Sequence, residues 1–506
     1  MHTAASFLGV DLGASSGRVI AGHWDGSLLR LDELHRFKNL PVSVGDRITW
    51  NVSDLNTAML DGFRRFKTLY NHNPDSIGID GWGIDFGLLD KQGQLISNPV
   101  HYRDRRTEGI PEKLFERLSE DSIFRETGVQ SWRINTLFQL YSMVLEKDPI
   151  LSCAESFLTI PDLFSFFLTG TIAIEFTEAT TTQMFSLHRG DWARDILRLA
   201  GIPERVLPTV VPTCSRLGPI RPSIREQAGF SHDVPVIAVA AHDTASAVAA
   251  IPHLDDRSMF ISSGTWSLVG AELNAPNLSE RAFQQGFTNE GSIDGKFLLL
   301  KNLAGLWMFE ECIRAWEREG NCFSCEEVMQ AAAEAPRHRT FLDPNDDLFQ
   351  MPRDMPAAVF EYCRRTRQSP PESTGGIARS IFEGLALSYR MAQASIEDLL
   401  GWPILTIRIV GGGSQNSLLS QMAADACNCL VVTGPTESTA LGNILAQAIA
   451  TGHIMNFGEG RIAIADSFLC KTYEPRHSEE WVEAFARSMV LRAQGDLVPH
   501  ETHVPK

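Results

Sequence analysis

The stretch Val10 to Val19, VDLGASSGRV, decides the architecture of the first half of the chain, because an apolar β-branched run ends there in a tight turn of small residues. The run before the turn has the composition of a buried strand, and Gly and Ser let the main chain approach a ligand closely. A second stretch, Ile261 to Val269 (ISSGTWSLV), repeats the pattern in the other half. The repetition suggests a structural duplication.

Similar short apolar runs, each followed by Gly, Ser or Asp, occur at Phe7 to Val10, Ile77 to Ile79, Val234 to Ala241, Met259 to Ile261 and Leu405 to Val410. Long segments with helical periodicity separate these runs, and Ile377 to Leu400 is the clearest of them. The mixture predicts an α/β or an α+β architecture. A domain boundary is predicted near residues 244–258, which leaves two halves of similar length.

The 506 residues carry 45 Lys and Arg against 62 Asp and Glu, a formal net charge of −17. Because this charge argues against a polyanion-binding protein, no nucleic-acid partner is expected. No apolar run is long enough for a membrane-spanning helix, and the N-terminus lacks the basic segment of a secretory signal. We therefore expect no membrane partner and a cytoplasmic location, in which the nine cysteines stay reduced.

Three turns rich in Gly and Ser have the chemistry of phosphate sites. Asp11 to Arg18 puts a carboxylate at a strand end beside backbone amides, which requires a cation such as Mg²⁺ between carboxylate and phosphate. Ser262 to Ser267 offers hydroxyls and amides alone. Gly411 to Asn416 resembles a dinucleotide fingerprint that fails at its third glycine position, Asn416. The alternatives are an ordinary β-hairpin for the first turn and a nucleotide-dependent oxidoreductase for the last.

Polar residues after two other strands are suited to a hydroxylated substrate. Asp243 follows an apolar strand, so its carboxylate is predicted at the carboxyl edge of a sheet, where it could accept a hydroxyl proton. The alternative role for Asp243 is a helix N-cap. Asp80 to Asp85 (DGWGID) combines Trp, Gly and acids, a composition suited to a polyol. Tyr102 to Thr107 and Lys301 to Trp307 add polar groups beside aromatics, with a surface loop or a helix start as the alternative for each.

Taken together, these motifs resemble the FGGY family of carbohydrate kinases over almost the whole chain. The matching segments are DLGASSGRV at Asp11, HRFKN at His35, SIGIDGWGIDFGLLD at Ser76, YRDRRT at Tyr102, NTLFQL at Asn135, TEATTTQ at Thr177, AAHDTASAV at Ala241, SSGTWSLVG at Ser262, FTNEG at Phe287, LKNLAGLW at Leu300, VGGGSQNSLLSQMAADAC at Val410 and GPTESTALGN at Gly434. The resemblance implies an α/β fold of the actin, hexokinase and heat-shock ATPase type, with two ribonuclease H-like lobes and a cleft between them. It implies an N-terminal lobe at residues 1–245, a C-terminal lobe at 246–475, and a C-terminal helix and tail at 476–506.

The resemblance also implies ATP-dependent phosphorylation of a ketose with Mg²⁺, and the branch that this chain resembles acts on the 1-hydroxyl of L-rhamnulose. Asp243 matches the proton acceptor of the family, and Asp11 matches the acid that holds Mg²⁺ through water. The positions that match the sugar contacts are Gly83, His242, Asp243, Thr244 and Asn302. Those that match the ATP contacts are Ala14, Ser15, Ser16, Gly17, Arg18, Thr265, Glu310 and Gly412. Whether the protein is a monomer or a dimer is left open.

Three positions depart from the family pattern. Glu310 stands where a Gln usually contacts ATP, so that contact is expected to be lost or to move toward the ribose. Gly81 replaces the usual Thr and is expected to open space in the sugar pocket. Cys363 has Ala378 at its usual partner position, so no disulfide is assumed. The alternative functions are phosphorylation of another ketose, such as L-fuculose, L-xylulose or ribulose, and a non-catalytic ATP-binding sensor.

Overall fold

The computed structural model describes residues 4–350 and 352–495. The chain forms two compact units, which we call unit 1 (Met1–Leu254, Glu272–Leu300 and Glu437–Leu469) and unit 2 (Asp255–Ala271, Lys301–Thr436 and Cys470–Lys506). The lobe boundaries that the family resemblance implies stay a prediction. The part of the predicted C-terminal tail beyond residue 495 lies outside the described residues.

Up to Leu254 the strands are β1 (Ala5–Leu12), β2 (Ser16–Trp24), β3 (Leu29–Lys38), β4 (Val42–Val44), β5 (Arg47–Thr49), β6 (Ser76–Gly81), β7 (Phe86–Leu89), β8 (Ser156–Thr159), β9 (Ala173–Glu175), β10 (Phe185–Ser186), β11 (Asp191–Trp192), β12 (Thr209–Val211), β13 (Ser215–Pro219) and β14 (Pro235–Ala238). The helices are α1 (Val52–Tyr70), α2 (Ile110–Phe115), α3 (Glu120–Thr127), α4 (Thr136–Glu146), α5 (Pro149–Cys153), α6 (Ile160–Thr169), α7 (Phe176–Thr181), α8 (Arg194–Ala200), α9 (Pro222–Ala228) and α10 (Asp243–Ala249).

From Asp255 onward the strands are β15 (Ser258–Ser263), β16 (Trp266–Leu273), β17 (Thr288–Gly291), β18 (Phe297–Ala304), β19 (Thr406–Val410), β20 (Leu430–Thr433) and β21 (Lys471–Tyr473). The helices are α11 (Glu280–Gln284), α12 (Trp307–Arg318), α13 (Cys325–Glu334), α14 (Met355–Arg365), α15 (Thr374–Leu400), α16 (Ser417–Cys427), α17 (Ser438–Ala450), α18 (Phe457–Ser467) and α19 (Ser478–Gly495). Within residues 4–350 and 352–495, no helix is both long enough and apolar enough to cross a bilayer.

Two sheets share one pattern of strand pairing. The first has the order β13-β14-β6-β1-β2-β3, and the second has the order β17-β18-β16-β15-β19-β20-β21. In the first, β1 pairs antiparallel with β2 and parallel with β6. In the second, β15 pairs antiparallel with β16 and parallel with β19. The suggested duplication is therefore confirmed in the topology, and each of the two turns singled out in the sequence joins an antiparallel pair.

The core of unit 1 forms because α1 presents an apolar stripe to the sheet. Asn51 begins the helix by accepting a hydrogen bond from the Asp54 backbone N–H, and Asn71 ends it in the left-handed conformation (φ 54°). The buried apolar side chains of α1, most of them spaced by threes and fours, are Val52, Leu55, Met59, Leu60, Phe63 and Phe66. They join sheet residues such as Val10 and Val19 in one cluster. Each such side chain contributes roughly 1.5–3 kcal/mol of burial free energy.

Helix α17 comes from late in the chain but lies against the sheet of unit 1, because small residues let it approach. A Cβ on Gly22 would lie 2.5 Å from the Ile444 side chain, and one on Gly78 would lie 2.6 Å from Oδ1 of Asn443. A Cβ on Gly442 would lie 1.8 Å from the carbonyl oxygen of Ser246 on α10. The close approach brings the Asn443 side chain of α17 to Asp80 at the carboxyl edge of the sheet.

The predicted helix Ile377 to Leu400 is confirmed as α15, which starts three residues earlier, at Thr374. The five predicted strands are confirmed as β1, β6, β14, β15 and β19, with different ends. Strand β14 is shorter than the predicted Val234 to Ala241 because the chain leaves the ladder after Ala238. It returns to the sheet at Ala241, whose carbonyl accepts a 2.8 Å hydrogen bond from the Gly81 backbone N–H.

Candidate functional site

Three carboxylates gather at the carboxyl edge of the sheet in unit 1. Asp11 and Asp80 are register partners at the ends of the parallel strands β1 and β6. A β-bridge between Gly81 and His242 brings the start of α10, and with it Asp243, to the same edge. This is the edge at which ligands of open α/β sheets are usually held. The predicted position of Asp243 is therefore confirmed.

The turn that follows Asp11 forms the β-hairpin considered for it, whereas its role in phosphate binding stays a prediction. It joins β1 to β2 as an antiparallel hairpin, closed by a 3.1 Å hydrogen bond from the Gly13 N–H to the Ser16 carbonyl. Asn39 supports the turn, since its side-chain amide donates to the Gly13 carbonyl at 3.0 Å. A side chain on Gly17 would meet the Phe37 ring at 2.4 Å, so glycine is required there. Ser15 at the tip is exposed and accessible to a ligand.

Arg18, the last residue of the predicted phosphate turn, forms ion pairs with two acidic neighbours. Its guanidinium donates to Oδ2 of Asp11 at 2.8 Å and also pairs with Glu437. Burial works to lower the pKa of Arg18, and these two carboxylates reverse that effect and raise it. Because Arg18 is already paired, a bound phosphate would share this cation with Asp11 and Glu437.

Asp11 and Asp80 differ in their hydrogen-bond partners. Burial raises the pKa of Asp11, and its bond with Arg18 opposes that rise. Asp80 has no exposed surface, and burial, reinforced by Asp11, holds its pKa well above the usual range. Its Oδ2 accepts a 2.6 Å hydrogen bond from the Asn443 amide, whereas its Oδ1 has no hydrogen-bond partner among the described residues.

The donor set at this edge fits Mg²⁺ held through water. In the described part of the chain, no three His, Cys, Asp or Glu side chains are grouped closely enough to hold a metal ion by themselves. Mg²⁺ prefers oxygen ligands, keeps several waters and commonly uses one or two carboxylates together with substrate phosphates. The buried Asp11 carboxylate, beside the orphaned Oδ1 of Asp80, meets that requirement.

Asp243 is the first residue of α10 and not its N-cap. The cap position belongs to His242, which makes no side-chain capping bond, so the capping role considered for Asp243 is wrong. The Asp243 side chain is 38% exposed, and its Oδ1 accepts a 3.1 Å hydrogen bond from the Thr244 hydroxyl. It is therefore an accessible carboxylate with one oxygen already oriented by its neighbour.

His242 lies between two acids. Its Nε2 is 3.5 Å from Oδ1 of Asp243, and its Nδ1 is 3.2 Å from Oε2 of Glu290 on β17. Burial works to lower the pKa of His242, but the nearby carboxylates of Glu290, Asp243 and Glu175 outweigh it and raise the pKa to about 9. His242 is thus an imidazolium at neutral pH.

Helix α7 positions three segments of the site through three threonines. The hydroxyl oxygen of Thr177 accepts a 3.0 Å hydrogen bond from the His242 backbone N–H. That of Thr180 accepts one of 2.7 Å from the Gly291 N–H, beside Glu290. Thr181 lies against Gly83, where an added Cβ would be 2.9 Å from its hydroxyl oxygen. Residues three and four apart share a helix face, which explains the TEATTTQ motif, to which the sequence assigned no role.

The segment DGWGID is built around the buried carboxylate of Asp85. Its Oδ2 accepts hydrogen bonds from the indoles of Trp50 at 2.6 Å and Trp82 at 3.2 Å, and its Oδ1 accepts one from the Gln139 amide at 3.0 Å. Burial raises the pKa of Asp85 to about 6 against these three bonds. Ile84, between Gly83 and Asp85, has a φ of 70°, which is strained for a β-branched residue. Such strain is held in place by surrounding contacts and is common at binding sites.

The expectation that Gly81 opens space in the sugar pocket is wrong. Gly81 is buried, and a Cβ built on it would lie 2.8 Å from the carbonyl oxygen of Leu12 and 3.3 Å from Pro161. Backbone and side chain therefore already fill the volume that a larger residue would take. The departure from the family pattern at this position is a matter of packing between β1 and β6.

In unit 2 the other two predicted phosphate turns lie in contact. A Cβ on Gly413 would be 2.0 Å from the hydroxyl oxygen of Ser263, and one on Gly411 would be 2.8 Å from the Ser263 carbonyl. By contrast, a Cβ on Gly412 would meet nothing within 4 Å, so that glycine faces open space. Asn416, where the dinucleotide fingerprint fails, caps α16 by accepting a 3.0 Å hydrogen bond from the Leu419 N–H.

The remaining predicted contacts also lie in unit 2. Thr265 is exposed at the tip of the β15–β16 turn, where its carbonyl accepts a hydrogen bond from the Trp307 N–H. Asn302 is exposed on β18. Glu310 lies in the first turn of α12, 3.7 Å from the guanidinium of Arg314, and burial raises its pKa. The prediction that Glu310 contacts ATP stays untested.

Sequence reasoning missed several residues that shape the site. They are Glu290, Glu437 and Asn443, together with the threonines of α7. Each belongs to a motif quoted above, so the signal was present, but nothing in the motif indicates which partner its side chain meets. Those partners are distant in sequence, and only the fold brings them together.

Comparison with known proteins identifies the family to which the chain belongs. Residues 6–250 match the model of the N-terminal domain of the FGGY family of carbohydrate kinases, and residues 259–451 match that of its C-terminal domain. A rhamnulokinase from Bacteroides thetaiotaomicron is 39% identical over 95% of this chain and 98% of its own length. A rhamnulokinase from Oceanobacillus iheyensis is 37% identical over 92% of this chain and 97% of its own.

Solved structures share the fold at low identity. A ligand-bound xylulose kinase from Lactobacillus acidophilus has a TM-score of 0.81 at 16% identity, covering 97% of this chain and 99% of that one. A glycerol kinase from Plasmodium falciparum with ADP has a TM-score of 0.79 at 14% identity, covering 98% of both chains. The predicted two-domain α/β fold of the actin and hexokinase type is confirmed.

Proposed function

The chain belongs to the FGGY family of carbohydrate kinases, and from that membership we propose that it transfers the γ-phosphate of ATP to the 1-hydroxyl of L-rhamnulose. The curated relatives that support this substrate are named rhamnulokinase and are 37% and 39% identical over nearly their whole length. The products are L-rhamnulose 1-phosphate and ADP.

The accessible carboxylate of Asp243, beside the acids Asp11 and Asp80, is the observation that carries the proposal. A kinase that phosphorylates a sugar needs one group to accept the hydroxyl proton and a separate acidic patch for a phosphate-bound cation. Side chains suited to both roles lie at one sheet edge of unit 1. A binding protein without catalysis would have no need of the first.

In the proposed mechanism, Asp243 accepts the proton of the 1-hydroxyl as its oxygen attacks the γ-phosphorus. The new oxygen–phosphorus bond forms while the bond from the γ-phosphorus to the bridging oxygen breaks, and ADP leaves. The Thr244 hydroxyl binds Oδ1 of Asp243, so Oδ2 is the oxygen proposed to take the proton. Gly83, His242, Thr244 and Asn302 are proposed to hold the sugar.

The nucleotide is proposed to contact the first turn, both glycine-rich turns of unit 2 and the first turn of α12. The residues concerned are Ala14, Ser15, Ser16, Gly17, Arg18, Thr265, Glu310 and Gly412. Backbone amides of such turns bind phosphate oxygens. Asp11 is proposed to hold Mg²⁺ through water, and the ion, when bound, would neutralise charge on the phosphates. We place the enzyme in the cytoplasm, where ATP is available and free thiols such as the nine present here stay reduced.

An ADP-release assay with MgATP tests the proposal. The panel is L-rhamnulose, L-fuculose, L-xylulose, L-ribulose, D-xylulose, D-ribulose and glycerol. We expect selective turnover of L-rhamnulose, and a loss of about 10²–10⁴-fold or more in Asp243→Asn because general-base catalysis is removed. Preferred turnover of another ketose would overturn the proposed substrate. Normal turnover by Asp243→Asn would overturn the proposed role of Asp243 as the base.

A further inference from the structure

Glu290 contacts the site from a strand to which neither the motifs nor the proposed mechanism gives a role. Its Oε2 lies 3.2 Å from Nδ1 of His242, and the two side chains are only 12% and 10% exposed. The two atoms are not aligned as a hydrogen bond, but a buried carboxylate this close to an imidazole is shielded from water and salt, so their charges attract strongly. The other side of the same ring reaches Asp243 at 3.5 Å.

The distance between Glu290 and His242 is set by the surrounding framework. Thr177 and Thr180, one turn apart on α7, bind the backbone N–H groups of His242 and Gly291 respectively. On the other side of Glu290, the side chain of Asn289 accepts a 2.7 Å hydrogen bond from the Asn277 N–H and donates one of 3.0 Å to the Asn277 carbonyl. Glu290 is therefore anchored on both sides, and its approach to His242 is built into the fold.

The charged groups with the largest effect on His242 are acids from three elements. They are Glu290 on β17, Asp243 on α10 and Glu175 on β9. Asp243 in turn repels three further acids, Glu178 on α7, Asp11 on β1 and Asp80 on β6. Of all these acids, Glu290 has the largest effect on His242 and is the main opponent of its burial. The ring therefore depends on Glu290 for its charge.

We propose that Glu290 is a positioning residue of the phosphoryl transfer, which acts by holding His242 as an imidazolium against Oδ1 of Asp243, so that Oδ2 is left to take the hydroxyl proton. The inference rests on the proposed function and extends it by one residue. The order carboxylate, imidazole, reacting group is that of the hydrolase triads. Here the imidazole stays charged throughout and orients the base, and the proton ends on Asp243.

Removing the negative charge of Glu290 has a predictable consequence for His242. In Glu290→Gln, burial dominates, so the pKa of the His242 ring falls to about 7 or below. The ring then loses its charge at neutral pH. A neutral imidazole has only one N–H and no net charge, so its hold on Asp243 weakens. At a pH low enough to protonate the ring again, the hold is restored. The defect of the variant therefore grows with pH.

The first test measures kcat and KM for sugar and for ATP between about pH 6 and pH 9 in the native enzyme, Glu290→Gln and a control, Glu280→Gln, which changes an exposed glutamate on α11. We expect Glu290→Gln to lose about tenfold or more in kcat at the upper end and much less at the lower end, since the ring loses its charge over this range. KM for ATP should not change. A loss by one constant factor at every pH would indicate a merely structural role and would overturn the proposal.

The second test does not depend on turnover. The ring signals of histidine-labelled protein are followed by NMR against pH without substrate, and His242 is assigned from its absence in His242→Asn. We expect its titration midpoint to fall from about 9 in the native protein to below about 7 in Glu290→Gln, and Glu290→Asp to restore most of the shift. An unchanged midpoint would overturn the proposal even if the sugar proves to be a different ketose, whereas a shifted midpoint without turnover of any sugar would fault the proposed function alone. If Glu290→Gln does not fold, the native protein carries the second test, because a His242 midpoint at or below the ordinary value of 6.5 would show that the ring is not held charged and would overturn the proposal.

Discussion

Asn443 Nδ2 donates a 2.6 Å hydrogen bond to Oδ2 of Asp80, although 363 positions of sequence separate the two residues. The Asn443 amide is itself held, because Nε2 of Gln447 donates to its Oδ1 at 2.7 Å. Gln447 in turn accepts a 2.8 Å bond from the Ser76 hydroxyl. A buried chain of polar groups thus runs along α17 and ends at the acidic edge of the sheet.

Replacing Asn443 by Leu is expected to lower the free energy of unfolding by about 1–3 kcal/mol, because it removes the bond to the buried Oδ2 of Asp80 and one of the two bonds that Gln447 Nε2 donates. Urea denaturation followed by circular dichroism measures the change. Gln284→Leu is the matched control, since its amide donates to the exposed Glu280 on α11, and its effect should stay within about 0.5 kcal/mol. Equal stability of the two variants would show that the polar chain contributes nothing.

Gly81→Thr separates the packing role of this residue from the pocket role that the sequence suggested. A threonine Cβ would start 2.8 Å from the Leu12 carbonyl, so we expect a loss of about 1–3 kcal/mol from overpacking, with the order of preference among ketoses unchanged. Denaturation and the ketose panel measure the two quantities. A fully stable variant with a different ketose preference would restore the pocket role.

Neighbouring glycines of unit 2 give a matched pair. Gly413→Ala is expected to destabilise the protein by about 1–3 kcal/mol, because its methyl group would overlap the Ser263 side chain. Gly412→Ala faces open space, so we expect native stability but a raised KM for ATP if the nucleotide lies against this residue. Thermal unfolding and initial rates distinguish the two effects. Native stability of Gly413→Ala would contradict the contact between the two turns.

The raised pKa of Asp85 predicts that the stability of the protein depends on pH. Its pKa is about 6 in the folded protein against an ordinary value of 3.8. Between these pH values the folded state holds a proton that the unfolded state has released, so stability falls as pH rises. The contribution of Asp85 to the free energy of unfolding is complete below about pH 3.8, and it is lost as the pH rises through about 6.

Urea unfolding of native protein and Asp85→Asn at several pH values tests this prediction. Because Asn does not titrate, the native protein should lose about 3 kcal/mol relative to the variant between about pH 4 and pH 7. Asp90→Asn, which changes a partly exposed acid after β7, serves as the control and should follow the native curve. Parallel curves for native protein and Asp85→Asn would rule out titration of Asp85 in this range.

Much of the fold could be predicted from the sequence, for a local reason. A run of β-branched apolar residues predicts a buried strand such as β1, and apolar residues at intervals of three and four predict a helix such as α15. Both patterns arise because they reflect which side of the element packs against the core. The motifs that follow the strands indicated the family and its fold, and they singled out Asp243 as a candidate site residue. These are properties of short segments, so no partner needs to be known.

Other features of the site were decided only by the tertiary structure. The pairing of Glu290 with His242, of Glu437 with Arg18 and of Asn443 with Asp80 depends on register and on helix packing across long sequence separations. The prediction from the sequence was wrong for Gly81 for the same reason, since the atoms that surround Gly81 belong to Leu12 and Pro161. A sequence pattern states what a residue can bind, whereas burial and distance determine which partner it meets and which charge it carries there.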